Sequence, residues 1–335
     1  MSWTGAVDAL ARETDFSGVV RVDRAGETEM AQAYGFAHQA LEIPNTVDTQ
    51  FGLASAGKGF TALAVVHLIE QGVLDLTTTA RSVLGSDLPL IDDAVTVEHL
   101  LAHRSGIGDY LDEDEWGDAS DYVMTVPVQE LATTEQFLPV LDGFPTKFAP
   151  NAQFSYSNGG FVVLALIAER ASGTPFHELV RSTVCQPAGM PDTEFLRSDA
   201  LPARAALGYL AVDGVTVTNV FHLPIRGNGD GGIYSTVSDI SVFWPALFAG
   251  RIVSPDWVAE MVRPRSDTSH ESKRYGLGFW LHPSSAVVML EGCDAGVSFL
   301  SAHDPETGTT GTVISNTTDG AWPIVRLLHE HLGLA

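Results

Sequence analysis

Ser55, Lys58 and Tyr156 are the residues whose types and spacing could perform nucleophilic chemistry in this chain. In Ser55-Ala-Gly-Lys58 the serine and the lysine lie about one helical turn apart, so a helix beginning at Ser55 puts both on one face. The start of a helix carries free N–H groups and a positive partial charge. That field disfavours a second positive charge, and burial acts in the same direction, so the Lys58 amine should lose its proton readily. A neutral amine can draw the proton from a serine hydroxyl, giving a nucleophile with an internal base. The pair alone is also what an N-capping serine and a solvated lysine would give. With three lysines in the chain, it would arise by chance in roughly one such chain in five.

A second group, Tyr156-Ser157-Asn158, sits in the polar stretch NAQFSYSNGGF. A tyrosine hydroxyl near a cationic lysine can be partly ionised and act as a further base or acid. An asparagine can accept from the lysine and donate to a substrate carbonyl. A plain turn would use the same residue types. Metal and phosphate signatures are missing: there is no HExxH, no cysteine-rich zinc spacing, no GxSxG elbow and no P-loop. No metal or cofactor is expected. His103 reads as structural, His67 as core or boundary, and His329 and His331 as solvated. Cys293 has no evident histidine partner and reads as a small residue on a strand.

These residues need elements to position them. Helical spacing is clear at 3–13, at Ser55–Gln71 before Gly72, at Val97–His103, at Gly160–Ala171 and at Ser238–Phe248, with a closing amphipathic helix at Trp322–Leu334. Strand-like runs occupy Ser17–Val22 and Met30–Gly35, then Tyr275–Leu281, Ala286–Leu290, Val297–Ala302 and Thr309–Ser315. Strands at both ends with helices between predict an α+β fold, one antiparallel sheet built from both chain ends and flanked by helices. The expected lobes are 1–78 with 272–335 for the sheet, and 79–271 for a mostly helical insertion. The candidate site lies in the groove between them.

The 335 residues exceed a typical single core, which agrees with two lobes. A formal net charge of −24 disfavours nucleic acid and anionic lipid as partners. The densest acidic run, Asp109 to Asp121, is expected near the groove, either as a solvated loop or as a selector of amine-bearing substrates. The N-terminal residues do not read as a secretory signal, and no run of about 18 apolar residues offers a membrane span. Two cysteines do not make a disulfide framework. A cytoplasmic location is expected, and the oligomeric state is left open.

SxxK followed about a hundred residues later by YxN resembles the serine β-lactamase/penicillin-binding-protein superfamily. The surrounding segments FGLASAGKGFTALAVVHLIEQG, TVEHLLAHRSGIGDY, PNAQFSYSNGGFVVLALIAERASGTPF, GDGGIYSTVSDISVF and YGLGFW resemble its class C β-lactamase-like branch, which includes esterase- and D-aminopeptidase-like enzymes. The resemblance implies a β-lactamase/transpeptidase-like fold and hydrolysis through an acyl-enzyme. Ser55 would attack, Lys58 and Tyr156 would move protons, and Asn158 would orient the substrate. The backbone N–H groups of Ser55 and Cys293 would form the oxyanion hole.

The branch's third motif, Lys-Thr-Gly or His-x-Gly, is altered. Its best match is Leu290-Glu291-Gly292, and the register places either Leu290 or Glu291 where a cation or imidazole stands. Leu290, Glu291 and Gly292 are therefore expected to contact substrate, without a positive group for a carboxylate. The expected substrate is a small ester first, an amide or amine-bearing peptide second and a β-lactam or D,D-peptide third. A catalytically silent binding module of the same fold is the alternative of another class.

Overall fold

The computed structural model describes residues 2–113, 122–268 and 273–334. Helix α1 (Trp3–Glu13), capped by the Ser2 hydroxyl, leads into the hairpin of β1 (Gly18–Arg24) and β2 (Glu27–Tyr34). Helix α2 (Gly57–Glu70) follows a single 3-10 turn at Ala54–Ala56. Helices α3 (Asn158–Ser172) and α4 (Val237–Phe248) lie in the middle of the chain. The late strands are β3 (Ser266–Thr268), β4 (Lys273–Tyr275), β5 (Trp280–Leu281), β6 (Val288–Asp294), β7 (Val297–Asp304) and β8 (Thr309–Ser315). Helix α5 (Ala321–Leu332) closes the described chain.

These eight strands form one antiparallel sheet in the order β2-β1-β8-β7-β6-β5-β4-β3. The two chain ends meet directly, with Gly18 opposite Ser315. The expected single strand at Tyr275–Leu281 is instead a hairpin: the chain reverses where the Gly276 N–H donates to the Phe279 carbonyl, 3.0 Å away. Strand β3 joins the sheet from the segment before residue 272. The middle segment also carries a two-stranded ribbon, Tyr209–Val212 with Val215–Thr218, which helical spacing did not announce.

Two apolar layers cover the sheet. Val7, Ala11, Val20, Met289, Leu300 and Ile324 bind α1 and α5 to one face. On the other face, Phe60, Leu63, Leu164, Phe243, Leu290 and Phe299 belong to the larger core. Helix α2 is apolar around nearly its whole circumference, the pattern of a helix enclosed on all sides. That enclosure is what buries Lys58. No helix among the described residues is long and apolar enough to cross a membrane.

Candidate active site

Ser55 lies in the 3-10 turn just ahead of α2 rather than within the helix. Its neighbour Ala54 takes a left-handed φ of +46°, a strained conformation for a residue with a Cβ. Three contacts fix this turn. Leu53 N–H donates to the Ile233 carbonyl at 2.8 Å, and Gly232 N–H donates to the Ala54 carbonyl at 3.2 Å. On the sheet side, a methyl on Gly292 would stand 2.9 Å from the Ser55 nitrogen and 2.2 Å from the Leu53 oxygen. Only glycine lets β6 run this close to the Ser55 amide.

Lys58 is 2% exposed. Its Nζ lies 3.0 Å from Ser55 Oγ, 2.7 Å from Asn158 Oδ1 and 2.7 Å from the Asp230 backbone oxygen. The two shorter contacts are to amide oxygens, which only accept. A neutral amine has two N–H groups and one lone pair, so it can donate to both oxygens and accept from the Ser55 hydroxyl. Burial lowers the Lys58 pKa, while the Asp230, Glu113, Asp109 and Asp294 charges oppose that fall. The net direction is downward, so the Lys58 amine gives up its proton more readily than a solvated lysine.

Asn158 is the first residue of α3, and a carboxylate far upstream sets its position. Asp109 accepts the Asn158 N–H at 2.6 Å and the Gly159 N–H at 2.8 Å. It thereby meets the positive end of a 15-residue helix. Burial nonetheless pushes the Asp109 pKa up to about 6. The Asn158 amide donates to the Leu111 carbonyl at 2.9 Å and to Glu113 Oε1 at 3.0 Å. Both donors are thus engaged, and Asn158 holds Lys58 rather than offering a free N–H to a substrate carbonyl.

Tyr156 departs from expectation in its charge state. Lys58 Nζ lies over its ring face, 4.8 Å from the centroid. Burial first, and Glu113 next, hold the phenol well above its ordinary pKa, against the opposing effect of a hydrogen bond with Ser55. Tyr156 is therefore protonated beside Ser55. Its ring stacks on Trp280 at 5.8 Å and lies 4.4 Å from the His103 ring. His103 is buried, its pKa is lowered well below the usual value by burial and by Lys58, and its Nδ1 accepts the Ser157 N–H at 3.0 Å. This neutral imidazole supports the Tyr156 segment.

The third segment is placed by strand alternation. Leu290 is 2% exposed and packs on Gly59 of α2, so it is a core residue and not a substrate contact. Glu291 is paired with Lys273 and does not line the cavity at Ser55. Gly292 meets the Ser55 turn, as described. Cys293 is exposed at the cavity, and burial pushes its thiol up to about 12, which keeps it protonated. The residue sequence reasoning passed over is Asp294, which lines the cavity and whose carboxyl burial raises to about 7. A second is Asp230, whose carboxylate accepts from the Tyr110 hydroxyl and is also raised by burial.

Of the acidic run, Asp109 is buried, Asp112 pairs with Lys147 and Glu113 lines the cavity. Residues 114–121 lie outside the described residues. His329, expected to be solvated, is half-buried with its pKa lowered by burial, whereas His331 is exposed and stacks on Trp3 at 5.3 Å.

A cavity of about 270 Å3 opens beside Ser55, walled by Asn158, Asp230, Cys293 and Asp294 on the catalytic side. A sheet joined from both chain ends, a middle helical segment and a close Ser55–Lys58 pair frame this cavity. The chain belongs to the Beta-lactamase family, whose profile matches residues 4–330. The chain is accordingly a serine hydrolase of ester or amide bonds. It is similar to the crystal structure of a penicillin-binding protein from Bacillus halodurans, with a TM-score of 0.90 and 33% identity over 97% of this chain and 99% of that one. It is 29% identical to esterase EstB of Burkholderia gladioli over 81% of this chain and 76% of the esterase. It is 28% identical to a penicillin-binding protein of Bacillus subtilis over 83% of this chain, spanning 62% of that relative.

Proposed function

We propose that this enzyme hydrolyses small uncharged esters through an acyl-enzyme on Ser55. The observation that carries the reading is the hydrogen-bond count at Lys58. Two acceptor-only oxygens take two of its N–H groups, so once the amine is neutral its lone pair is directed to the Ser55 hydroxyl 3.0 Å away. Ser55 Oγ attacks the carbonyl carbon as its proton passes to Lys58. The developing oxyanion is held by the amides of Ser55 and Cys293, a contribution of roughly 3–4 kcal/mol per donor. Tyr156, protonated at rest, gives its proton to the leaving alkoxide and is reprotonated from Lys58. Water then attacks the acyl-enzyme by the same route in reverse.

Esters come first because alkoxides leave with less help than amines and need no carboxylate anchor. The cavity wall supports this choice. Lys58 is occupied, Lys273 is paired with Glu291, and the ionisable groups facing the cavity include Glu113, Asp230 and Asp294. A substrate carboxylate would meet repulsion there, which disfavours penicillins and D,D-peptides. The same carboxyl groups favour a second reading, hydrolysis of amides that carry a free amine. Both cysteines are free, which supports placing the enzyme in a reducing compartment.

A fluorophosphonate probe followed by peptide mass spectrometry tests the mechanism. One adduct is expected on Ser55, with none on the folded Ser55→Ala protein. An unlabelled parent enzyme that also fails to turn over activated esters would point to a silent binding module.

A further inference from the structure

The cavity at Ser55 extends beyond the catalytic groups into a wing of different chemistry. Tyr122, Met124, Leu196, Leu223, Pro224 and Ile225 line it, drawn from three separate stretches of chain. Main-chain bonds hold those stretches side by side. Ile225 N–H donates to the Val128 carbonyl at 3.0 Å, Ser198 N–H to the Ile225 carbonyl at 2.8 Å and Arg226 N–H to the Leu131 carbonyl at 3.3 Å. Tyr110 joins the wing to the catalytic wall. Its hydroxyl donates to Asp230, and its own carbonyl accepts the Tyr122 hydroxyl at 2.9 Å. The wing is therefore formed before any ligand arrives, which spares the ordering cost of binding.

Phe221 is 84% exposed and Val123 79% exposed, and each adjoins lining residues in the chain, His222 for the first and Tyr122 and Met124 for the second. Ser198, Asn219, His222 and the Tyr122 hydroxyl are polar groups in this part of the lining. A volume of about 270 Å3 falls near the lower end of small-molecule sites, which span roughly 300–1,000 Å3. Once the reacting ester group is seated, there is room for one compact apolar substituent.

We infer that the substrate carries a medium-length alkyl chain or a single aromatic ring next to its scissile carbonyl, seated in this wing. Met124 and Leu223 set its upper size. This inference rests on the serine hydrolase reading and names the substrate class for the same site. Apolar burial there contributes a few-fold in affinity per methylene, until the chain outgrows the wing.

Phosphonofluoridates that differ only in their phosphorus-bound chain test it without requiring turnover. Ser55 Oγ displaces fluoride from phosphorus, its proton leaves with the fluoride, and intact-protein mass gives the labelling rate. The hexyl probe should react at least about tenfold faster than the methyl probe, and the dodecyl probe more slowly than the hexyl. Leu223→Trp and Met124→Trp should each lower the hexyl-to-methyl rate ratio at least about fivefold. Equal methyl and hexyl rates, or a ratio that neither tryptophan moves, would overturn the inference while the serine hydrolase reading stands. Absence of labelling by every probe would overturn both. If the tryptophan proteins do not fold, the chain-length series on the parent enzyme decides.

Discussion

Tyr110 donates its hydroxyl proton to the side chain of Asp230, the residue whose backbone oxygen accepts Lys58 Nζ at 2.7 Å. One aspartate therefore ties the catalytic amine to the aromatic wall of the cavity. Burial and the Asp230 charge keep the Tyr110 phenol well above its ordinary pKa, so it remains a donor. Tyr110→Phe leaves a buried acceptor unpaired, at a cost of about 1–3 kcal/mol. The expected result is a lower Tm and a fall in kcat of roughly tenfold, with KM less affected. Adding Asp230→Asn should recover part of the Tm, because the buried charge is gone. Thermal unfolding and steady-state kinetics on an activated ester check this, and an unchanged Tm in Tyr110→Phe would refute the clamp.

Gly292→Ala addresses the oxyanion hole. A methyl there would stand 2.2 Å from the Leu53 oxygen, so β6 must move away from the Ser55 amide. Oxyanion donors act in the transition state, so the loss should appear in kcat, by about a hundredfold or more. A kcat within threefold or so of the parent, in a folded variant, would show that this strand does not supply the second donor.

Asp294 predicts a pH dependence of stability. Folding raises its pKa from 3.8 to about 7, so the folded chain holds this proton more tightly than the unfolded chain does. That contribution is complete below the unfolded pKa and is lost as pH rises through about 7. Asp294→Asn should therefore stabilise the protein more at pH 8.5 than at pH 5.5, with the difference in Tm gain about 3 °C. The ionised carboxylate also opposes deprotonation of Lys58. In the variant, the rising limb of kcat/KM should shift to lower pH. A Tm gain that is the same at both pH values would contradict the assigned ionisation.

Charge should also discriminate among substrates. With Glu113, Asp230 and Asp294 at the cavity, isosteric esters should rank cationic or neutral above anionic in kcat/KM. Penicillins should rank with the anionic group. Raising the ionic strength should narrow the spread, and Glu113→Gln should narrow it further. A ranking that responds to neither change would remove these carboxylates from specificity.

Much of the fold was legible because it depends on local pattern. The first hairpin, α2, α3, α4 and the last two strands stand within a few residues of where periodicity put them, since spacings of two and near four are set by the backbone itself. The Tyr275–Leu281 run read as one strand because a tight reversal inside an apolar run leaves periodicity unchanged. Leu290 and Glu291 were misplaced for a related reason. A strand's alternation shows that neighbours face opposite sides, but which side meets α2 depends on register with distant strands. The acidic run was read as rim or loop, yet Asp109 is buried because α3 presents its unpaired N–H groups there.

Ser55 and Lys58 were determined by the sequence as a pair, because a single turn of chain brings them together whatever surrounds them. The properties that lower the Lys58 pKa were not. Its oxygen partners belong to residues 100 and 172 positions further along, and its burial depends on α2 being enclosed on every side. Burial and long-range hydrogen bonding are sums over contacts between elements, and no short stretch of sequence contains them. The spacing of residues assigned the nucleophile and its neighbour. Only the packed tertiary structure surrounded the amine with burial, which lowers its pKa, and with the two distant acceptor oxygens.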